Sequence, residues 1–303
     1  MNALVIGYGS IGQRHVRLLN EFGCKTAVIS NRQVDYAPLY SEIKDGLTGH
    51  KPEYVVIANS TGEHFRAFAE LVELGYNGTV LVEKPLFHCV QESKPNDFLQ
   101  TYVAYNLRFH PFVQRLKALL AGEKIISVLA YVGQYLPDWR PQRDYRQSYS
   151  AKKELGGGVL RDLSHELDYL IWLLGGWKRL AAQGGHFSPL EINSEDVIAL
   201  IMETPRCPVV SAQLNYLDRM TRRFLVVNTA EHTIEADLIR GTLTIDNSIE
   251  KFNIEKDMTY RQMHKSILEG GCESLCSLEE GVEVMRLIEA VEISIEQKRW
   301  VEK

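Results

Sequence analysis

The chain of 303 residues lacks the sequence features that mark several classes of protein. Its five cysteines form no CxxC pair and no metal-ligand spacing, so we expect reduced thiols, as in cytoplasmic proteins, and no metal site. The net charge of −5 gives no electrostatic reason to expect nucleic acid or an anionic membrane as a partner. The longest strongly apolar run, residues 169–177, is too short to cross a bilayer, and no signal-peptide pattern precedes the first strand.

The first hundred residues alternate between strand-like and helix-like patterns. Short apolar runs of the kind found in buried parallel strands occur at residues 3–6, 26–30, 54–58, 79–82 and 101–105. Helix-compatible segments separate the early runs, and in segment 62–74 the apolar residues recur at helical spacing. This alternation predicts a doubly wound α/β domain over residues 1–104.

The remainder of the chain, residues 105–303, has a different pattern. Residues 111–121 and 160–174 have helical patterns, whereas residues 181–250 hold consecutive strand patterns without intervening helices. Segment 279–297 predicts a closing helix with one apolar stripe, formed by Val284, Ile288, Val291 and Ile295. Together these patterns predict an α+β domain with an antiparallel sheet.

The most informative motif is Gly7-Tyr8-Gly9-Ser10-Ile11-Gly12, which joins the first strand to a helix-compatible segment. Gly7 permits a tight turn, Gly9 lets the backbone approach a pyrophosphate, and Gly12 lets helix and strand pack closely. The N–H groups at the start of the helix then hold the anion. Glycine-rich turns also occur for purely structural reasons, but the position directly after a strand favours a dinucleotide site.

The residues at the end of the second strand bear on the choice of dinucleotide. An NAD site has Asp or Glu there, about 20 residues beyond the glycines, to bind the ribose 2′-hydroxyl. This chain has Ser30, Asn31 and Arg32, whose hydroxyl, amide and guanidinium groups suit a 2′-phosphate. We therefore expect NADP as the cofactor, with NAD possible. A polar turn with a solvated arginine is the structural alternative.

A lysine follows one of the buried strands in the motif Glu83-Lys84-Pro85. The carboxyl edge of an open α/β sheet is where ligands bind, and Pro85 restricts Lys84 to an extended conformation. A solvated lysine at a strand end is the structural alternative.

A second candidate group follows the glycine triplet at residues 156–158, where Asp162, His165 and Asp168 recur every third residue. The triplet would let the backbone approach a ligand closely. On a helix each acid would neighbour the histidine, and an acid can orient an imidazole and raise its basicity for proton transfer. The structural alternative is a helix N-terminus with favourably placed acids and a histidine satisfied by a carboxylate.

In this order the motifs resemble those of the glucose–fructose oxidoreductase, inositol dehydrogenase and MocA family. Two more motifs carry the resemblance: Asn59-Ser60-Thr61 with His64 after the third strand-like run, and the sequence YNLRFHP at residues 105–111. The resemblance covers essentially the whole chain, including the Ser277-Leu278-Glu279-Glu280 start of the closing helix.

The resemblance implies an N-terminal Rossmann domain and a C-terminal α+β domain with a large open, mostly antiparallel sheet. It also implies oxidation or reduction of a secondary alcohol or ketone on a sugar-type substrate. By the same resemblance Lys84 hydrogen-bonds the reacting oxygen, His165 is the acid/base, and Asp162 is the acid before it. The predicted cofactor-binding residues are Gly7, Tyr8, Gly9, Ser10, Ile11, Gly12, Ser30, Asn31, Arg32, Asn59, Ser60, Thr61, His64, Glu83 and Lys84.

The chain departs from the family pattern at two places. The family's acid usually lies four positions before the histidine, where this chain has Arg161; Asp162 lies three before. The stretch between Pro85 and Tyr105 is shorter than usual, and Pro95 interrupts it, which leaves room for little helix.

Segment 135–149 interleaves four aromatic residues with Arg140, Arg143 and Arg146. Aromatic faces stack on sugar rings, and guanidinium groups bind carboxylates or phosphates, so we interpret the segment as a substrate loop. A subunit contact is the alternative. The predicted substrate-binding residues are Arg108, Trp139, Arg146, Arg161 and Asp168.

The arginines around the glycine triplet predict a substrate that carries a carboxylate or phosphate. The alternative is that they pair with acids of the same stretch, namely Asp138, Asp144, Glu154 and Glu166.

The leading hypothesis is an NAD(P)-dependent oxidoreductase acting on a sugar, sugar acid or nucleotide sugar. The alternatives are a catalytically silent NAD(P)-binding regulatory protein and an NAD-dependent enzyme that cleaves glycosides by transient oxidation. Retention of both Lys84 and His165 argues against the regulatory protein, which needs no proton relay. The open sheet of the second domain predicts a homodimer or homotetramer.

Overall fold

The computed structural model describes residues 1–91 and 96–303, so Pro95 lies outside the described residues. The described residues between Pro85 and Tyr105 form no helix. The chain divides into two compact units: Met1–Phe109 with Asp257–Met285, and His110–Lys256 with Arg286–Lys303. The sequence patterns predicted a single domain boundary after residue 104. They did not predict that Asp257–Met285 packs with the first unit.

Strands and helices account for most of both units. In chain order the strands are β1 (Asn2–Ile6), β2 (Lys25–Ile29), β3 (Leu39–Tyr40), β4 (Tyr54–Ile57), β5 (Thr79–Val82), β6 (Gln100–Val103), β7 (Ile125–Gly133), β8 (Arg179–Gly185), β9 (Val197–Glu203), β10 (Val209–Asn215), β11 (Arg222–Thr229), β12 (Thr233–Asp237), β13 (Thr242–Ile245), β14 (Ser248–Lys251), β15 (Cys276–Ser277) and β16 (Val301–Glu302). The helices are α1 (Ser10–Glu21), α2 (Ile43–His50), α3 (Thr61–Glu73), α4 (Pro111–Leu119), α5 (Val159–Asp162), α6 (His165–Leu174), α7 (Met258–Leu268) and α8 (Leu278–Gln297).

The first unit contains a seven-stranded sheet in the order β15-β6-β5-β4-β1-β2-β3. All neighbouring strands are parallel except β15 and β6. Because parallel strands share a direction, the carboxyl ends of β1, β2, β4 and β5 meet at one edge of the sheet, where open α/β sheets bind ligands. The predicted Rossmann domain is confirmed.

Helix α7 completes the core of the first unit. Its Tyr260 and Met263 are buried in the same apolar cluster as Val5, Val28 and Val56 of the central strands. This burial is the physical reason why Asp257–Met285 returns to the first unit, and the sequence patterns did not predict it.

The second unit contains a nine-stranded sheet in the order β14-β13-β12-β11-β7-β10-β9-β8-β16. Only the pairing of β7 with β10 is parallel, so the predicted, mostly antiparallel sheet is confirmed. Along β9 and β10 buried residues alternate with exposed or half-exposed ones, which is typical of a sheet with one covered face. The more exposed face carries Leu129 and Ile201, and Tyr131 stacks there on Phe224 at 5.3 Å.

The helical segment predicted at residues 160–174 is two helices. Helix α5 ends at Asp162 and α6 begins at His165, with Leu163 and Ser164 between them. The prediction of one continuous helix was therefore wrong, and the i, i+3 relation between Asp162 and His165 is not that of a regular helix.

The closing helix α8 agrees with its predicted bounds to within one residue. Val284, Ile288 and Val291 of the predicted stripe are buried, and Ile295 is half-buried. In the described residues no helix combines the length and apolar character that crossing a bilayer requires.

Candidate active site

The glycine turn between β1 and α1 has three glycines with different surroundings. Gly7 has φ of +100°, and a Cβ there would lie 2.6 Å from the backbone of Asn59. A Cβ on Gly12 would lie 2.0 Å from the carbonyl oxygen of Gly7. A Cβ on Gly9, in contrast, would meet no protein atom within 4 Å. Gly7 and Gly12 are therefore required by the fold, whereas Gly9 leaves an open place where a ligand can approach the backbone.

The start of α1 faces this open place. Gly9 is the N-cap and provides no side-chain hydrogen bond to the first turn. The side chain of Ser10 is exposed, and those of Tyr8 and Ile11 are half-buried; the ring of Tyr8 contacts that of Tyr36 at 5.4 Å. The first N–H groups of α1 thus lie at the surface, in the arrangement that binds a phosphate.

The residues that follow β2 form a turn at the same sheet edge. The Ser30 hydroxyl accepts a hydrogen bond from the backbone N–H of Arg32 at 3.1 Å. The side chains of Asn31 and Arg32 are exposed, and so is Asp35 further along the loop. The turn therefore offers an amide and a guanidinium to a ligand, and an acid only at its far end.

The residues that follow β4 include an unsatisfied acceptor. The Asn59 side-chain oxygen is buried without a hydrogen-bond partner, although its amide nitrogen donates to the Glu63 carbonyl oxygen at 3.5 Å. Ser60 is exposed and Thr61 is half-buried at the start of α3. Because a buried acceptor without a partner is costly, Asn59 is suited to a hydrogen-bond donor on a ligand.

Two predicted cofactor-binding residues, His64 and Glu83, are buried instead. His64 directs Nδ1 to the carbonyl oxygens of Pro85 and Leu86 at 3.1 and 3.2 Å. Glu83 binds His15 and the backbone N–H of Lys84 through its two carboxylate oxygens. Both side chains therefore bond the residues around Lys84, and the Nε2 atom of His64 is buried without a hydrogen-bond partner.

Lys84 is the half-buried residue in an otherwise buried stretch, residues 80–87. It lies at the carboxyl end of β5, at the edge of the sheet that also carries Gly9 and Asn59. The first unit therefore places exposed N–H groups that can bind a phosphate, at the start of α1, at the same sheet edge as Lys84. The backbone around Lys84 is held by hydrogen bonds to Glu83 and His64.

In the second unit Asp162 is held by two tyrosines. Tyr216 donates to the Asp162 carboxylate at 2.6 Å, and Tyr149 also donates to it. Burial and the adjacent carboxylate raise the pKa of both phenols well above their usual value, so both remain donors at neutral pH. Sequence reasoning missed Tyr216, which lies directly after β10 and carries no motif. Tyr149 was visible only as part of the aromatic segment.

His165 is the half-buried residue of its stretch, whereas Asp162, Glu166 and Asp168 are buried. Asp168 has no exposed surface, so the structure does not support its predicted contact with substrate. Glu166 forms a buried ion pair with Arg223 at 2.8 Å. Of the residues in this motif, His165 has the exposure that a proton-transfer group needs.

The glycine triplet serves the protein's own packing. A Cβ on Gly157 would lie 2.0 Å from the Tyr149 carbonyl oxygen, and one on Gly158 would lie 2.2 Å from the Glu195 carboxylate. The same carboxylate accepts the Leu160 N–H at 3.2 Å and so caps α5. The prediction that these glycines make room for a ligand is therefore not supported at Gly157 and Gly158.

Three of the predicted substrate-binding arginines have carboxylate partners. Arg108 is 1% exposed and pairs with Glu280 at 2.7 Å within the first unit. Arg161 binds Glu292 of α8 through both terminal nitrogens at 2.6 and 3.2 Å.

The third is Arg146, which pairs with Asp144 and Glu191. A paired guanidinium offers little net charge to a substrate, so Arg146 and Arg161 do not support the predicted anionic substrate. Arg140 and Arg143, on which that prediction also rested, are exposed. Trp139 is half-buried; its indole N–H donates to the Gln134 carbonyl oxygen, and its ring contacts Tyr216 edge-on at 5.3 Å.

Two sequence profiles of one family match the chain. The profile described as "Oxidoreductase family, NAD-binding Rossmann fold" matches residues 1–97, and the "GFO/IDH/MocA C-terminal domain" matches residues 113–235. Together they cover well over half of the chain.

Curated relatives match part of their own length. An uncharacterized oxidoreductase of Synechocystis is 30% identical over 156 residues, which are 49% of this chain and 41% of that protein. Levoglucosan dehydrogenase of Pseudarthrobacter phenanthrenivorans is 26% identical over 171 residues, which are 52% of this chain and 44% of that protein. The matched segments thus span less than half of these relatives.

Solved structures match over the full chain at low identity, which shows the fold. Levoglucosan dehydrogenase in complex with NADH and levoglucosan has a TM-score of 0.85 at 18% identity and covers 100% of this chain and 99% of its own. WlbA dehydrogenase of Bordetella pertussis, in complex with NADH and UDP-GlcNAcA, has a TM-score of 0.79 at 19% identity, with coverage of 100% and 98%. From its two domains and their matching profiles, the chain belongs to the GFO/IDH/MocA oxidoreductase family.

Proposed function

We propose that the protein is an NAD(P)-dependent oxidoreductase that acts on a secondary alcohol, or the corresponding ketone, of a sugar or sugar derivative. The carboxyl edge of the first unit's sheet carries the proposal. There the open backbone at Gly9, the unsatisfied Asn59 oxygen and the half-buried Lys84 lie on adjacent strand ends. The solved relatives with NADH and a sugar-type ligand support the same function.

Different residues of the protein bind the cofactor and transfer the proton. When bound, a nicotinamide dinucleotide supplies the hydride acceptor or donor. The N–H groups at the start of α1 bind its phosphates, and Asn59 accepts a hydrogen bond from it. The Lys84 ammonium donates to the reacting oxygen of the substrate, and His165 takes up or returns the hydroxyl proton. Asp162, held by Tyr149 and Tyr216, is a buried acid three positions before His165.

Formation or consumption of reduced dinucleotide with a panel of sugars tests this function. We expect absorbance at the reduced nicotinamide band to change with at least one neutral sugar, anhydrosugar, uronate or nucleotide sugar. Since Arg146 and Arg161 are paired, neutral sugars should be turned over at least as well as uronates.

Two outcomes of the panel would favour the alternatives. Dinucleotide binding without turnover of any sugar would indicate a regulatory protein. Cleavage of a glycoside without net change in reduced dinucleotide would indicate transient oxidation.

We further propose a preference for NADP, supported by the exposed side chains of Asn31 and Arg32. Arg32→Ala should weaken NADP binding by about tenfold or more, because one charge-assisted hydrogen bond to a phosphate contributes about 1.5–3 kcal/mol. The affinity for NAD should stay unchanged. Calorimetric titration with each dinucleotide measures both.

Lys44→Ala, at an exposed position on α2, is the control for a general loss of positive charge. Tighter binding of NAD than of NADP by the unmodified protein would contradict the preference. It would indicate that the exposed Asp35 binds the ribose 2′-hydroxyl of NAD.

We also propose that the more exposed sheet face of the second unit binds a second copy of the chain. Leu129 and Ile201 are 42% and 51% exposed on that face, next to the stacked Tyr131 and Phe224. Light scattering at micromolar concentration should give a dimer or tetramer, and Ile201→Lys should shift the mass towards the monomer. Leu99→Lys, at a position that is 69% exposed in the first unit, should leave the mass unchanged. A monomeric unmodified protein would contradict this proposal.

A further inference from the structure

Four polar side chains form a continuous buried chain of hydrogen bonds in the first unit. Glu83 Oε1 lies 2.8 Å from His15 Nε2, and His15 Nδ1 lies 2.8 Å from His264 Nε2. His264 Nδ1 lies 3.1 Å from the Tyr54 hydroxyl. Both histidines and Tyr54 have no exposed surface, and Glu83 is 7% exposed. The four residues come from four different elements: the end of β5, α1, α7 and β4.

The protonation of these groups determines which of them donates and which accepts in each hydrogen bond. Burial alone would raise the pKa of the Glu83 carboxyl, but the hydrogen bond from His15 and nearby positive charge outweigh it and hold that pKa below its usual value. Burial lowers the pKa of His264 well below its usual value. A neutral His264 accepts from the Tyr54 hydroxyl at Nδ1 and donates from Nε2 to His15 Nδ1, and His15 Nε2 donates to the Glu83 carboxylate. Every ring nitrogen is then satisfied.

This chain of hydrogen bonds ends at the backbone N–H of Lys84. Glu83 Oε2 accepts the Lys84 N–H at 3.2 Å, while the carbonyl oxygens of Pro85 and Leu86 are held by His64. The main chain is thus fixed on both sides of Lys84. The orientation of the Glu83 carboxylate, and with it the direction of the Lys84 side chain, depends on His15 and in turn on His264.

Two contacts with Arg14 fix helix α7 next to α1, where His264 can bond His15. Arg14 of α1 pairs with Asp257 at 3.1 Å, and its guanidinium lies over the Tyr260 ring at 5.1 Å. The Tyr260 hydroxyl also donates to Glu83. A segment from the later part of the sequence therefore reaches Glu83 directly through Tyr260 and indirectly through His264 and His15.

We propose that His264 is a positioning residue for Lys84, acting through His15 and Glu83. The inference rests on the proposed role of Lys84 in the reaction. Positioned groups lose rate steeply when displaced, by about a hundredfold for a shift near 1 Å. His264 is therefore required for turnover although it contacts neither substrate nor cofactor.

Two substitutions of His264 separate hydrogen bonding from ring packing. His264→Phe keeps an aromatic ring but cannot bond His15 or Tyr54, and we expect turnover to fall by about tenfold or more. Its dissociation constant for the dinucleotide should stay within about twofold, because no phosphate contact changes. His264→Gln can still donate to His15 and accept from Tyr54, and it should recover most of the turnover.

Met263→Ala is the matched control, since Met263 is 1% exposed on the same helix and belongs to the apolar cluster. It should lower the melting temperature and leave the turnover of the folded enzyme unchanged. If Met263→Ala and both His264 variants lower the melting temperature alike and all keep full turnover, His264 has only a structural role and the inference is wrong.

A readout that needs no substrate uses the lysine itself. Reductive methylation with ¹³C-formaldehyde labels lysine amines, and the Lys84 signal is the one lost in Lys84→Arg. We expect this signal to shift in His264→Phe and to stay in place in His264→Gln and Met263→Ala. An unchanged signal in His264→Phe would overturn the inference.

The variant Lys84→Ala/His264→Phe distinguishes this inference from the proposed function. If His264 acts through Lys84, the double variant should turn over no more slowly than Lys84→Ala alone. Full activity of Lys84→Ala would refute the catalytic role and the inference together. An inactive Lys84→Ala beside a fully active His264→Phe would refute the inference alone.

Discussion

Replacing Lys84 with alanine should lower turnover by roughly a hundredfold or more, as expected for loss of a positioned proton-transfer and hydrogen-bonding group. The residues on either side of Lys84 are buried and fixed by Glu83 and His64, so the substitution removes the amine without releasing the loop. The dissociation constant for the dinucleotide should change little, because the phosphate cradle lies at the start of α1. Steady-state kinetics with the best sugar of the panel, together with calorimetric titration of the dinucleotide, measure the two effects.

Lys44→Ala controls for removal of an exposed lysine from the same unit, and it should be fully active. A melting temperature within a few degrees of the unmodified protein would show that Lys84→Ala is folded. Unchanged turnover in that folded variant would remove Lys84 from the mechanism.

Alanine substitutions at Gly12 and Gly9 should have opposite consequences. In Gly12→Ala the new Cβ would lie 2.0 Å from the Gly7 carbonyl oxygen, a backbone atom that cannot move aside without displacing β1 from α1. We expect the free energy of unfolding to fall by at least about 3 kcal/mol, the range of severe overpacking. In Gly9→Ala the Cβ meets no protein atom within 4 Å, so stability should hold while dinucleotide affinity falls by about tenfold or more.

Chemical denaturation and calorimetric titration of the two variants give both quantities. The pair serves as its own control, since each variant adds one methyl group to the same turn. A Gly9→Ala variant that binds the dinucleotide as tightly as the unmodified protein would show that the open place above Gly9 is not where the phosphates bind.

The features predicted well from sequence are those that local geometry determines. The strand–glycine–helix turn is an example, because a positive φ at Gly7 and a close approach at Gly12 restrict the residue type directly. The two-domain organisation was equally visible, since alternating strand and helix patterns require a parallel sheet and consecutive strand patterns require an antiparallel one.

The features missed depend on partners that are distant in sequence. The pairing of Arg146 with Asp144 was one of the alternatives weighed from sequence, whereas Arg161 pairs with the distant Glu292 and Arg108 with the distant Glu280. The helix break after Asp162 accompanies hydrogen bonds from Tyr216, beyond β10, and Tyr149. Helix α7 was the avoidable omission, because Tyr260, Met263 and Ile267 recur at helical spacing in the sequence.

The return of Asp257–Met285 to the first unit has a consequence for synthesis on the ribosome. Domains generally fold in order as the chain emerges, with the N-terminal one first. Here the first 109 residues emerge without α7 and β15, so Tyr54 and His15 lack the His264 that bonds them both. The interior of the N-terminal unit is therefore complete only after residues up to Met285 have been synthesised. The second unit is completed later still, because it includes Arg286–Lys303, so neither unit can finish folding until nearly the whole chain has emerged.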